Sequence, residues 1–317
     1  MVSEPRTDLA IEAREGYLGD IPGVEVTEQR YRHYSISCVT ITNSEASAGL
    51  KKPQGKYITI DVPQLRSRER ELESEISGAI ARELGKMLPQ GTDVEVLVVG
   101  LGNWNATPDA LGPRVVEEIL ITRHLRDYVP RELKGRLRSV CAIAPGVLGL
   151  TGIETGEIIA GIVERIKPDA IIAVDSLAAR TITRILSTIQ ITDTGIHPGS
   201  GVGSKRFGIT QSTLGIPVIA IGVPTVVHAN TIVNDAFDVL MKRLGDGDSM
   251  YAKLGHLDAE EKRRLINSLL SPTVGDLMVT PKEIDLYIDE MATIVAGGIN
   301  AALHPDLDIH QALKYLN

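Results

Sequence analysis

The sequence predicts an α/β protein with a mostly parallel sheet, helices on both faces, and extra β segments near the N-terminal end. Three observations predict it. From residue 93 onward, short strand-like runs alternate with segments of helical apolar spacing, the pattern of strands joined by crossover helices. The runs at 96–99 (Val-Leu-Val-Val) and 170–174 (Ala-Ile-Ile-Ala-Val) are apolar without a break, as strands buried on both faces are. Aromatic residues make up only 3% of the chain, so its core is built from Ile, Leu, Val and Ala.

Taken in order, residues 1–30 are polar and turn-rich, with Gly16, Gly19, Pro22 and Gly23, and read as irregular. The alternating, β-branched stretch 30–42 predicts a strand and 57–62 predicts another, with 43–56 a hairpin connection or small excursion. Leu72, Ile76, Ile80 and Leu84 recur at helical spacing among Arg and Glu and predict an amphipathic helix over 67–88. The alternation then runs strand 94–99, helix 109–126, strand 137–143, helix 154–166, strand 170–174, helix 177–187. A short strand at 188–192 follows, then a glycine-rich loop, a strand at 217–221 and a helix over 229–244. Gly245-Asp246-Gly247-Asp248 marks a surface loop, and helices are predicted over 258–270 and 281–302. No repeat and no Ser-, Gly- or Pro-rich linker divides the chain, so one domain is expected.

A length of 317 residues suits one large α/β unit. The net charge of −8, with no run of five like charges, argues against a nucleic-acid or anionic-membrane surface. No stretch of 18 apolar residues suggests a membrane span, and Met1-Val2-Ser3-Glu4-Pro5 lacks the apolar core of a secretory signal, so a cytoplasmic protein is expected. Cys38 and Cys141 stand far apart, with neither a disulfide framework nor metal spacing, and read as small buried hydrophobes in a reducing compartment.

The most informative stretch is 100–112, Gly-Leu-Gly-Asn-Trp-Asn-Ala-Thr-Pro-Asp-Ala-Leu-Gly. It carries a buried strand into a glycine-rich loop and sets Asp109 at the mouth of a helix. In an open α/β sheet ligands bind at the carboxyl ends of the strands. Asp109 alone would pass for a helix cap. The loop before it is longer than a strand-to-helix connection needs, which suggests a pocket wall. A dinucleotide fingerprint is the weaker reading, because Asn105 stands where the third glycine belongs and no acid about twenty residues later ends a second strand. Asp175 ends the run 170–174 in the same way and is either a second cap or a partner for Asp109. Two carboxylates brought to one sheet edge cannot comfortably both ionise, so one holds its proton, and the pair offers a general acid and a general base. Ser176 has no nucleophile elbow around it.

The loop 193–206, with Gly195, Gly199, Gly201 and Gly203 and a basic end at Lys205 and Arg206, is either a substrate-gripping or anion-binding loop or a mobile excursion. It does not fit the phosphate-binding loop of nucleotide hydrolases. His197 and His228 could join the acids at a metal, without any short His spacing to support it.

Several blocks in order resemble the germination protease family, spore endopeptidases that degrade small acid-soluble spore proteins early in germination. They are Arg6-Thr7-Asp8-Leu9-Ala10, 98–103 (Val-Val-Gly-Leu-Gly-Asn), 107–113 (Thr-Pro-Asp-Ala-Leu-Gly-Pro), 142–147 (Ala-Ile-Ala-Pro-Gly-Val), 173–180 (Ala-Val-Asp-Ser-Leu-Ala-Ala-Arg) and 197–203 (His-Pro-Gly-Ser-Gly-Val-Gly). The resemblance implies that Asp109 and Asp175 are the catalytic aspartates of an aspartic-type endopeptidase working with water, with no cofactor and no metal. It implies a zymogen that removes its own leader at an acidic residue followed by a large apolar one. Here that bond is Asp8–Leu9, leaving a propeptide 1–8 and a single peptidase domain 9–317. Asn103, His197, Ser200, Lys205 and Arg206 are the candidates for holding substrate. The partners implied are small acid-soluble spore proteins, with no direct nucleic-acid binding and no membrane, in a homotetramer of the forespore or spore core. The fold is expected to be similar to that of the hydrogenase maturation endopeptidases, which share the Gly-x-Gly-Asn loop. A metal-dependent maturation endopeptidase of that type is the alternative.

Overall fold

Nine strands form one sheet in the computed structural model, which describes residues 7–17, 19–63, 65, 70–91, 93–125, 137–197, 207–233, 235–236, 261 and 277–305. The strands are β1 (Val24–Arg30), β2 (Ser35–Ile41), β3 (Gly55–Asp61), β4 (Glu95–Gly100), β5 (Ser139–Ile143), β6 (Ala170–Ala179), β7 (Thr188–Thr192), β8 (Val218–His228) and β9 (Met278–Val279). Their order is β1-β2-β3-β7-β8-β6-β4-β5, with β9 beside β8. The expected α/β fold is present. Its parallel part is the run β8-β6-β4-β5, while β1, β2, β3 and β7 pair antiparallel up to β8, as does β9. The division follows from the connections. Parallel neighbours need a long crossover, which the helices Leu111–Glu117 and Thr155–Ile166 supply from β4 to β5 and from β5 to β6, whereas the antiparallel β1 and β2 are joined by a short turn at 31–34.

Both faces of the parallel strands are covered, and the alternation along β4 and β6 sorts their side chains. Val96, Val98, Ile172 and Val174 enter one core with the helices Arg70–Met87, Leu111–Glu117 and Ile284–Leu303, through Ile80, Val115 and Val295. Leu97, Val99, Ile171 and Ala173 enter the other with Ile159 and Val163 of the helix Thr155–Ile166. A strand buried on both sides has no polar face, which is why these runs are apolar throughout. The helices expected over 67–88, 154–166 and 281–302 are present as Arg70–Met87, Thr155–Ile166 and Ile284–Leu303.

Several expectations are corrected. The helix over 177–187 does not form: β6 continues to Ala179, and only a short 3-10 turn, Ile182–Arg184, follows. Leu177-Ala178-Ala179 has high intrinsic helix propensity, but Leu177 pairs with Pro224 and Ala178 with Val226, and tertiary pairing overrides a weak local preference. The strand placed at 217–221 runs instead to His228, past Pro224, where the register with β6 slips; Pro224 has no N–H to give, and a bulge absorbs it. The helix over 109–126 is a 3-10 turn at Thr107–Asp109, a short helix Leu111–Glu117 and a second turn at Arg123–Leu125.

The stretch 1–30 is not irregular throughout, since it holds a helix, Ala10–Glu15, and strand β1, whose residues after Val24 are exposed. The strand predicted over 30–42 is present as β2 (Ser35–Ile41), which a hairpin turn at 31–34 joins to β1, and 43–56 contains the helix Ser44–Leu50, capped by the Asn43 side chain accepting from the Ala46 N–H at 2.8 Å. Residues 229–233 and 235–236 are helical, and the remainder of the helix predicted over 229–244 lies outside the described residues, as do the loop 245–248 and, except for Glu261, the helix over 258–270. Cys38 and Cys141 are free and only partly buried. No described helix is long and apolar enough to cross a membrane.

Candidate active site

β4 delivers the chain into the loop 100–112, and two glycines let that loop fold back on itself. Gly102 has φ 122°, and a Cβ there would lie 1.9 Å from the Asp109 carbonyl oxygen. A Cβ on Gly112 would lie 2.2 Å from the Leu101 carbonyl oxygen and 2.6 Å from that of Val174. The bare backbones therefore touch, and hydrogen bonds close the loop. The Asn103 N–H donates to the Asp109 carbonyl at 2.9 Å, the Asp109 N–H to the Ala106 carbonyl at 2.7 Å, and the Asn105 N–H to the Asn103 side-chain oxygen at 2.9 Å. The Leu101 N–H reaches across to the Val174 carbonyl at 2.8 Å, which ties the loop to β6 immediately before Asp175.

Asp175 stands inside β6, not at its end, opposite Gly222 of β8. Its Oδ1 accepts from the Ser176 N–H at 2.9 Å. Burial holds its carboxyl well above the usual carboxylate range, and the charges of Asp109 and then Asp8 push the same way, against the Ser176 N–H. Burial also raises Asp109, to about 6, and a backbone hydrogen bond from Asn103 opposes the rise. The two acids expected at one sheet edge are thus close enough to interact. Both line a cavity of about 680 Å³.

The same cavity receives the N-terminal segment. Asp8 lies along β6: its N–H donates to the Ala178 carbonyl at 3.0 Å, and its Oδ2 accepts from the Ala178 N–H at 2.8 Å. The next residue, Leu9, is wholly buried in the main core. The Asp8 carbonyl accepts from Lys52 Nζ at 2.9 Å and from Gln190 Nε2 at 3.3 Å, while Gln190 Oε1 accepts from the Ala10 N–H at 2.7 Å. Beyond them the buried Glu12 carboxylate accepts from the backbone N–H groups of Arg180 and Thr181, at 2.7 and 3.0 Å, and from the Thr7 and Thr181 hydroxyls, with Arg184 at 3.6 Å. A carboxylate so well partnered anchors the helix Ala10–Glu15 to the end of β6.

Of the residues singled out in the sequence, the structure brings together Asp8, Asp109, Asp175, His197 and His228 around one cavity. Asn103 does not line it; its side chain closes the loop instead. His197 is exposed, and Ser200, Lys205 and Arg206 lie outside the described residues. Among the described residues no group of three or more His, Cys, Asp and Glu could hold a metal ion. Sequence reasoning missed Lys52, Gln190 and Glu12. Gln190 did leave a signal, as the one amide in the otherwise strand-like run Thr-Ile-Gln-Ile-Thr, whereas Lys52 stood in a connection with no motif around it.

Comparison with known proteins bears on the identity of this site. A family model described as "Germination protease" matches residues 6–253 and 246–316. A germination protease of Clostridium acetobutylicum is 48% identical over 98% of this chain and 99% of its own. One from Caldanaerobacter subterraneus subsp. tengcongensis is 50% identical over 95% of both chains, and one from Bacillus cytotoxicus is 45% identical over 96% of this chain and 94% of its own. A solved [NiFe] hydrogenase maturation protease, HycI from Thermococcus kodakarensis KOD1, matches 68% of this chain and 98% of its own at 16% identity, with a TM-score of 0.31, too low to bear on function. The germination protease matches, which span nearly the whole chain, do not favour the metal-dependent maturation endopeptidase. Both aspartates line one cavity, and the chain belongs to the germination protease family.

Proposed function

We propose that Asp109 and Asp175 are the catalytic pair of this endopeptidase and that the first bond they cut is the chain's own, Asp8–Leu9. Residues 1–8 are then a propeptide and 9–317 a single peptidase domain. One observation carries the reading: Asp8 lines the same cavity as both aspartates, with its charge acting on Asp175.

The chemistry follows from the two environments. Above pH about 6 Asp109 is ionised and takes a proton from a water that attacks the Asp8 carbonyl carbon, while Asp175, still protonated, gives its proton to the Leu9 nitrogen as the C–N bond breaks. One water is consumed, an acid and an amine are released, and a proton passed back from Asp109 to Asp175 resets the pair. The pair titrates as a unit, so its two apparent constants belong to both groups.

In trans the same site acts on small acid-soluble spore proteins during germination, at an acidic residue followed by an apolar one. His197, on the cavity wall, holds that substrate together with Ser200, Lys205 and Arg206 of the same glycine-rich stretch of sequence, with Asn103 shaping the loop. The partner is protein, not nucleic acid or membrane; the working form is a homotetramer, and the compartment is the forespore and spore core.

The test is sequencing of the amino terminus of purified wild-type, Asp109→Asn and Asp175→Asn proteins, each then incubated with a small acid-soluble spore protein. A wild-type chain beginning at Leu9, with both variants intact and inactive, supports the reading. Cleavage by Asp175→Asn at the wild-type rate refutes it.

A further inference from the structure

Resting on the reading that Asp8–Leu9 is cut at this site, we infer that Lys52 and Gln190 form the pair of donors that polarises the scissile carbonyl and holds the oxyanion formed on it. Water attack turns the Asp8 carbonyl oxygen into an alkoxide, and the groups already bonded to that oxygen are the ones able to stabilise it. They are Lys52 Nζ at 2.9 Å and Gln190 Nε2 at 3.3 Å. An ammonium and a fixed amide dipole at the place where negative charge develops are worth more in a desolvated site than in water. Neither aspartate does this work, since Asp109 takes a proton from the water and Asp175 gives one to the leaving nitrogen.

Three features make the pair a built arrangement. Gln190 is buried, and its amide orientation is dictated: Oε1 faces the Ala10 N–H at 2.7 Å and Nε2 faces the Asp8 carbonyl, and exchanging the two would break both bonds. The one side chain thus brackets the Asp8–Leu9 bond, gripping the backbone before and after it. Lys52 Nζ also bonds the Thr7 carbonyl at 3.1 Å, so its ammonium is held by two consecutive carbonyls. Finally, Lys52 and Gln190 line the same cavity as Asp109 and Asp175. Every one of these contacts is to main chain, so the same pair serves any peptide that lies along β6 as residues 7–10 do.

The experiment uses the full chain. The first-order appearance of the Leu9 amino terminus is followed in wild type, Lys52→Met, Gln190→Glu and Asp175→Asn, and amide hydrogen exchange over residues 8–11 reports whether the segment stays docked. Lys52→Met keeps the length of the side chain and loses the cation; Gln190→Glu keeps the acceptor for Ala10 and replaces the donor by a carboxylate oxygen, whose charge when ionised also opposes the oxyanion. The expected result is a rate lower by about 10²–10³-fold in each of these two variants with exchange protection unchanged. A wild-type rate in both overturns the inference while leaving the dyad standing, provided Asp175→Asn is inactive. Loss of protection in step with loss of rate in both also overturns it, since the two side chains would then be mere tethers. Cleavage by Asp175→Asn at the wild-type rate removes the dyad and this inference together.

Discussion

Replacing Asp109 by Asn should stabilise the fold at neutral pH, and by an amount that grows with pH. Burial raises the Asp109 carboxyl from 3.8 to about 6. The sign follows from proton counting. Below pH 3.8 the group is protonated in both folded and unfolded chains and contributes nothing. Between 3.8 and about 6 the unfolded chain gives up its proton while the folded one retains it, so stability falls as pH rises, and above about 6 the cost is complete. A shift of about two units at ~1.36 kcal/mol each amounts to about 3 kcal/mol. The comparison is best made in the Asp175→Asn background, where neither protein cuts itself; burial is the leading cause of the Asp109 shift, so it survives that change. Urea unfolding of Asp175→Asn and of Asp109→Asn/Asp175→Asn at fixed protein concentration, from pH 4 to 7.5, gives the difference directly. His304, lowered to about 4 by burial and by Arg138, changes stability in the opposite direction over an overlapping range, but it is common to both proteins and cancels. A stability difference that is flat across this range, or that shrinks towards neutrality, would refute the argument.

Three further outcomes follow from the same geometry. Gly102→Ala should cost about 2–4 kcal/mol and abolish cleavage, because its Cβ would lie 1.9 Å from the Asp109 carbonyl oxygen at φ 122°; Gly78→Ala, a helix position with nothing within 4 Å, is the control and should gain about 0.5–1 kcal/mol, both read by thermal or urea unfolding. Glu12→Ala should cost about 1–3 kcal/mol and expose the first helix to limited proteolysis, because it leaves the half-buried Arg180 and Thr181 backbone N–H groups without their acceptor, while Arg184 keeps Glu15 and Asp61. The rate of self-cleavage against pH should be bell-shaped, rising through about 6 as Asp109 ionises and falling only at higher pH as Asp175 loses its proton; a rate that falls on going from pH 5 to pH 7 would contradict the assignment.

Legibility in the sequence followed the range of the interactions. β4 and the first five residues of β6 were readable because burial on both faces writes an unbroken apolar run, and the helix Arg70–Met87 because one apolar stripe writes a 3.6-residue period. The rest of β6 was not, since Leu177-Ala178-Ala179 becomes strand only by pairing with β8 and with Asp8, contacts far away in sequence. Pro224 concealed the length of β8 for a similar reason: a bulge accommodates it, and only the partner strand reveals the bulge. Asp109 and Asp175 were legible because each interrupts an apolar-to-helix or apolar-to-polar transition with a lone acid. Lys52 and Gln190 were not, because what distinguishes them is contact with the Asp8 carbonyl, 44 and 182 residues away along the chain.

The central claim is that one of the two neighbouring aspartyl groups keeps its proton while the other is ionised at neutral pH. Difference infrared spectroscopy of the Asp109→Asn and Asp175→Asn proteins against wild type at pH 7 reads this directly. The account predicts a protonated-carboxyl stretching band in wild type that disappears in Asp175→Asn, with an ionised-carboxylate band lost in Asp109→Asn. Two carboxylate bands and no protonated one would contradict it.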